Sequence, residues 1–153
     1  MFADVDWGNS SLDRRSYTGY TFIMSGGAVS WESRKQRTMA ISSTEAEYMA
    51  LSDATKEVIY MGGLLGEFGV DLNGIILKND NIGAQKLATN PIYYARSKHI
   101  DIRHHFVREA VKETLVLIQH VPSDEMTADI LTKGLPRGRH ENFVRLLGLK
   151  PIQ

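Results

Sequence analysis

Apolar positions change their spacing several times along this chain, and each change marks an element. Phe2 to Trp7 alternates apolar and polar residues as a short strand does. Strand side chains repeat every second residue, so Asp4 and Asp6 share one face, a costly arrangement unless a cation sits there. After the polar stretch Gly8 to Ser16, two β-prone runs, Thr18 to Met24 and Ala28 to Ser33, flank the hairpin signal Ser25-Gly26-Gly27. Three antiparallel strands therefore open the chain. Ser42-Ser43-Thr44 then leads a helical pattern to about Phe68, with Met49, Ala50, Ala54, Val58, Met61, Leu64, Leu65 and Phe68 as its apolar stripe. Glu47 stands where a capping box begun at Thr44 places its acid. Gly62-Gly63 weakens the pattern in the last turns.

Ile75 to Asp80 is a short apolar strand followed at once by a helical stretch, Asn81 to Asn90. Asp80 thus falls at a strand's C-terminal end, where α/β sheets place their ligands. Pro91 to Arg96 interrupts the pattern. Lys98 to Glu113 resumes it as a helix with Ile102, Phe106, Val107, Ala110 and Val111 on its apolar side. Leu115 to Val121 is a fifth strand, Pro122 to Asp124 a turn, Glu125 to Lys133 a short helix halted by Gly134-Leu135-Pro136, and His140 to Leu147 a final helix. The order predicts an α/β domain over residues 1–153. Its five-stranded mixed sheet has three antiparallel strands, then two parallel ones, with helices on both faces.

Composition narrows the chemistry. The chain has 153 residues, 42% of them hydrophobic, enough for one core that needs no covalent staple. Cysteine is absent, so disulfides and thiolate zinc sites are excluded, and any metal must be held by carboxylate oxygen or histidine. No apolar run approaches the ~20 residues that cross a bilayer, and no signal-peptide pattern opens the chain. An intracellular protein without a membrane partner is expected. Lys and Arg number 18 against 18 Asp and Glu, so net charge does not announce a polyanionic partner.

Four acids fall where such a sheet can gather them: Asp4 on the first strand, Glu47 in the first helix, Asp80 after the fourth strand and Asp129 in the last short helix. Hard divalent cations prefer such oxygen donors, and clustered carboxylates are unstable without one. Two ions about 3.5–4 Å apart can activate water and stabilise the leaving oxygen of a phosphodiester displacement. Taken singly, each acid has a plainer reading: Glu47 and Asp80 as helix caps, the others as solvated charges.

Motif order separates these readings. Ala3-Asp4-Val5-Asp6-Trp7, Asp13-Arg14-Arg15-Ser16 with Gly19-Tyr20, Ala28-Val29-Ser30-Trp31, Ser42-Ser43-Thr44-Glu45-Ala46-Glu47-Tyr48, Asp80-Asn81, Lys98-His99-Ile100-Asp101-Ile102-Arg103 and Ala128-Asp129-Ile130-Leu131-Thr132-Lys133 occur in sequence. Over nearly its whole length the chain resembles the ribonuclease H domain of Ty1/copia-type retrotransposon polyproteins. That resemblance implies an RNase H-like fold and hydrolysis of the RNA strand of RNA–DNA hybrids. It further implies that Asp4, Glu47, Asp80 and Asp129 bind two Mg²⁺ ions, with Mn²⁺ as a substitute. Asp6 and Glu45 are near-duplicates and the first alternatives should the site be shifted. The implied partners are the hybrid and the polyprotein's reverse transcriptase domain, and the implied location is the intracellular retrotransposon particle. The isolated domain is expected to be a monomer. Only Met1 to Ala3 precede Asp4, a shorter first strand than is usual in the family, which suggests a segment cut from a longer polyprotein.

Substrate contacts are expected from basic and polar groups. Arg34-Lys35-Gln36-Arg37, between the third strand and the first helix, is a phosphate-positioning candidate, as are Arg96, Lys98 and His99 on and before the later helix, whose plain reading is a solvated face. Asn81 is the candidate for reading 2′-hydroxyls, against a plain role as helix cap. Related enzymes carry a mobile histidine that helps product leave, and His120 lies near that place. Trp7 and Trp31 read as packing residues within strands. The competing functions are a non-catalytic module that binds nucleic acid or supports a reverse transcriptase, and an integrase-like or junction-cutting nuclease. All four acids are present, which disfavours the former, and the Ser-Thr-Glu-Ala-Glu and Ala-Asp-Ile-Leu-Thr-Lys signatures disfavour the latter.

Overall fold

The computed structural model describes residues 1–70, 74–90, 98–113 and 115–150, with backbone alone for 98–101. Five strands form one sheet: β1 (Phe2–Asp6), β2 (Tyr17–Met24), β3 (Gly27–Lys35), β4 (Ile75–Asn79) and β5 (Val116–His120), in the spatial order β3-β2-β1-β4-β5. The β3/β2/β1 pairings are antiparallel and the β1/β4/β5 pairings parallel, as the element order predicted. Ser25 and Gly26 both have positive φ, which makes the β2–β3 turn the type whose twist matches a two-residue hairpin. One extra residue near Val29 shifts the β2–β3 register between Phe22 and Ile23.

Side-chain alternation assigns the two faces. Ala3 and Val5 point to one side, where they pack with Ala46, Met49, Ala50 and Leu51 of α1 (Ser43–Glu67). The helices α2 (Ile82–Thr89) and α3 (Lys98–Lys112) pack beside α1 and against β5. Phe2 and Asp4 point to the other side, toward the segment Thr127–Leu131 and α4 (Arg137–Leu146). Gly19, level with Asp4 in the β1–β2 ladder, lies directly under that segment: a Cβ there would sit 2.7 Å from Thr132 Cγ2 and 2.9 Å from Leu131 Cβ.

Three sequence expectations are corrected. The N-cap of α1 is Ser42, whose Oγ accepts from Glu45 N at 3.1 Å while Glu45 Oε2 accepts from Ile41 N at 2.9 Å, so the capping acid is Glu45 and Glu47 is free to turn inward. The expected helix Glu125–Lys133 is instead two 3₁₀ turns, Ser123–Glu125 and Thr127–Leu131. Trp7 and Trp31 are 52% and 63% exposed: Trp7 follows the end of β1, and Trp31 lies on edge strand β3, where Leu131, Leu147 and Leu149 cover it only in part. The helix α1 passes unbroken through Gly62-Gly63 and ends in a Schellman motif, with Gly69 at φ +76° and Val70 N donating to Leu65 O at 3.0 Å.

Candidate active site

Two parallel neighbours set the site. The pairing Phe2↔Lys78, carried two residues further, brings Asp4 level with Asp80. Glu47 reaches them from the first turns of α1. It is held by Asn79, a fully buried residue whose Nδ2 donates to Glu47 Oε2 and to Ala3 O, both at 3.1 Å. One carboxylate oxygen from each of Asp4, Glu47 and Asp80 lies within 4.8 Å of the other two.

Three acids so close need positive charge. Burial, then the charges of Asp4 and Asp80, push the Glu47 carboxyl up to about 9 against the opposing hydrogen bond from Asn79. Burial likewise raises Asp4 to about 7, although Lys133 beside it pulls the other way. The chain's own cations thus do not offset the burial of Glu47 and Asp4. A hard divalent cation among these oxygens would supply what is missing, and an all-oxygen donor set is the kind such ions take. The residues present fit a metal.

Asp129 is placed differently. It is buried on the Thr127–Leu131 segment, where its oxygens accept from Lys133 Nζ at 2.9 Å and from Arg139 Nη2 at 2.5 Å. Lys133 also lies 3.1 Å from Asp4, so Asp129 meets the other acids through this lysine. Its ammonium is held charged: burial alone would lower its pKa, but Asp4 and Asp129 raise it above the usual lysine value. Thr132 Oγ1 donates to Asp4, Ser123 Oγ donates to Asp80 at 2.6 Å, and Arg139 donates to the Ser123 carbonyl.

Of the alternatives, Asp6 accepts from Asn9, and Glu45 caps α1. Asn81 caps α2, its Oδ1 accepting from Ala84 N at 2.9 Å. Arg34 and Lys35 belong to β3, which runs further than the sequence pattern indicated, and they are already paired. Arg34 lies 3.1 Å from Asp53, which Arg103 also meets at 3.0 Å, and Lys35 lies 2.9 Å from Asp13. His120 is exposed at the end of β5, across from Asn79. Arg96 and the side chains of Lys98 and His99 lie outside the described residues.

Asn79, Ser123, Lys133 and Arg139 have no role in the sequence reading. Asn79 leaves a trace there: alternation in β4 puts it with Leu77 on the buried face, where a polar side chain must have a partner. Lys133 leaves another in its four-residue spacing from Asp129, but its bond to Asp4 spans 129 residues and that of Ser123 to Asp80 spans 43, which no local pattern reveals.

This architecture is the ribonuclease H fold. The structure aligns with RNase H1 from the halophilic archaeon Halobacterium salinarum NRC-1 at TM-score 0.61 and 19% identity, covering 86% of this chain and 91% of that one. It aligns with LC11-RNase H1 in complex with an RNA/DNA hybrid at TM-score 0.62 and 16% identity, covering 86% and 91%. The chain is homologous to retrovirus-related Pol polyproteins of plant transposons. It is 38% identical over 148 residues to that of transposon TNT 1-94 from Nicotiana tabacum, covering 97% of this chain and 11% of the relative. It is 36% identical over 152 residues to that of transposon RE1 from Arabidopsis thaliana, covering 99% and 10%. The chain therefore spans about a tenth of the length of the curated relatives it matches. No protein-family model matches it. Among the described residues no helix is long and apolar enough to cross a membrane.

Proposed function

We propose that this chain hydrolyses the RNA strand of RNA–DNA hybrids as the ribonuclease H part of a transposon polyprotein, working beside its reverse transcriptase. The observation that carries the proposal is the convergence of Asp4, Glu47 and Asp80 from three separate elements within 4.8 Å, on an RNase H fold. The hybrid held by LC11-RNase H1 supports the choice of substrate. Asp4, Glu47 and Asp80, with Asp129 beside them, would hold two Mg²⁺ ions, for which Mn²⁺ can substitute. Such ions lower the pKa of bound water and stabilise the leaving oxygen of an in-line displacement.

The chain's own groups prepare that chemistry. Asn79 fixes Glu47, Thr132 fixes Asp4 and Ser123 fixes Asp80, so three acids are aimed before substrate arrives. Arg34 and Lys35 sit in solvent-facing ion pairs of small net worth, which can exchange a carboxylate for a phosphate oxygen. The cap at α2 uses Asn81 Oδ1, so a 2′-hydroxyl would be met by its Nδ2. Cleavage would leave a 3′-hydroxyl and a 5′-phosphate.

The test is cleavage of a labelled RNA–DNA hybrid in Mg²⁺ by wild type and by Asp80→Asn. We expect the variant to lose on the order of 100-fold or more in rate, the scale of removing one transition-state charge stabiliser. Equal cutting by both would sink the site, and no cutting by wild type would turn the reading to a binding module. A companion experiment concerns Asn79→Ala, which leaves Glu47 without its buried partner. Mn²⁺ titration calorimetry should show affinity falling about 10–100-fold, whereas wild-type affinity would mean that Asn79 does not position the site.

A further inference from the structure

The motif Asp13-Arg14-Arg15-Ser16 closes the polar turn 8–16 between β1 and β2, and nothing in the metal-site reading uses it. The turn is built from its own hydrogen bonds. Arg14 N donates to Ser10 O at 2.8 Å, Ser10 N to Arg15 O at 3.2 Å, and Gly8 N to the buried Ser16 Oγ at 3.1 Å. Asp13 Oδ1 accepts from Arg15 N at 3.2 Å, an Asx turn with Arg14 at its centre, and the same carboxylate meets Arg15 at 3.5 Å and Lys35 at 2.9 Å. Lys35 is level with Tyr17 and Asp6 across three strands, so these bonds hold the turn at the end of the sheet that carries the acids.

Two features set Arg14 apart. Its backbone sits at φ +56°, a left-handed conformation unfavourable for a long side chain and usually given to glycine or asparagine. Its side chain is exposed and joins none of the ion pairs among the described residues, whereas Asp13 holds both Arg15 and Lys35. A fixed turn thus keeps an arginine in a strained position and presents its guanidinium without a carboxylate partner. The turn begins just past Asp6, which lies about 7 Å beyond Asp4 along β1. A nucleic-acid strand seated on the acids, rising about 3.4 Å per nucleotide, therefore brings neighbouring phosphates to the turn. We propose that Arg14 is a substrate-binding residue that takes a backbone phosphate of the hybrid within a few nucleotides of the one being cut, its strained backbone being retained for that contact. The proposal rests on the hybrid reading above and adds to it a residue and a contact.

The test is equilibrium binding of a labelled RNA–DNA hybrid in Mg²⁺, read by fluorescence anisotropy over a series of NaCl concentrations, with Asp80→Asn as the slow-cutting parent. Arg14→Gly, added to that parent, removes the guanidinium and suits the backbone, so the double variant should melt no lower than the parent. It should nevertheless bind the hybrid about tenfold more weakly at low salt. Its plot of log affinity against log salt should be shallower by about 1, the signature of one lost phosphate contact. Arg14→Lys keeps the charge and should keep the parent's slope. A Gly variant with the parent's affinity and slope overturns the proposal and leaves the hybrid reading standing. So does a Gly variant that melts well below the parent, which would make the arginine part of the turn's architecture. A Lys variant whose slope falls as far as that of Gly overturns it too. A parent and a wild type that both bind no hybrid overturn the hybrid reading and the proposal together.

Discussion

Replacing Glu47 with glutamine should make the metal-free chain more stable while reducing hybrid cleavage by about 100-fold or more. Burial with Asp4 and Asp80 raises the Glu47 carboxyl from 4.5 to about 9, and Asp4 rises from 3.8 to about 7. Both groups bind their protons more tightly folded than unfolded. Their contribution to stability is therefore complete below about pH 4 and is lost as pH rises through 7 for Asp4 and then 9 for Glu47. A metal-free melting curve should fall in Tm between pH 5 and pH 9, and Mg²⁺ should restore more of it at pH 8 than at pH 5. Glutamine keeps an oxygen for Asn79 Nδ2 and removes the titration. The variant should gain on the order of 1 kcal/mol at pH 8, about 2–4 °C in Tm at this chain length, and show a flatter profile. A Gln variant that melts below wild type at pH 8 without metal would show that Glu47 is not held there at a cost.

The second large effect is expected at a residue with no side chain of its own to offer the site. Gly19 faces Asp4 across the β1–β2 ladder, and a methyl group on it would sit 2.7 Å from Thr132 Cγ2, 2.9 Å from Leu131 Cβ and 3.2 Å from Ala128 O. One of those neighbours is backbone, so the whole Thr127–Leu131 segment must lift. That motion withdraws Thr132, Lys133 and Asp129 from Asp4 together. Gly19→Ala should lose about 1–3 kcal/mol from overpacking and about 100-fold in cleavage rate, as a misplacement near 1 Å can produce. Thermal melting and single-turnover cleavage measure the two separately. Wild-type values in both would mean that the sheet and the segment are not in register through this glycine.

Much of this architecture is legible along the chain because periodicity reports which face of an element is buried. The Ser25-Gly26 turn, the long α1 stripe and the Asp80 strand end all follow from local chemistry. The α1 cap does not: Ser42, Ser43 and Thr44 stand in a row with two glutamates downstream, and either Ser42–Glu45 or Thr44–Glu47 satisfies the local rule. Tertiary packing decides between them by drawing Glu47 toward Asn79. Strand patterns place Trp7 and Trp31 on a face but cannot say how fully that face is covered, and on edge strand β3 Leu131, Leu147 and Leu149 border Trp31 yet leave it 63% exposed. Motif order singles out Asp4, Glu47, Asp80 and Asp129. The arrangement in which Lys133 stands between Asp129 and Asp4 is a matter of side-chain reach, invisible before the fold is known.

Strand β1 lies in the middle of the sheet, yet its two neighbours come from distant stretches of chain: Thr21 pairs with Phe2 on one side and Lys78 on the other. Closing the second pairing means bringing together residues 76 apart, and seating Thr132 on Asp4 closes a span of 128. Loop closure of that length is paid in chain entropy before any contact rewards it, and non-local contacts slow folding. The hairpin and α1 can form early, from near neighbours. The carboxylate group draws on these long closures, so it is expected to assemble with the completed sheet rather than with any local piece of it.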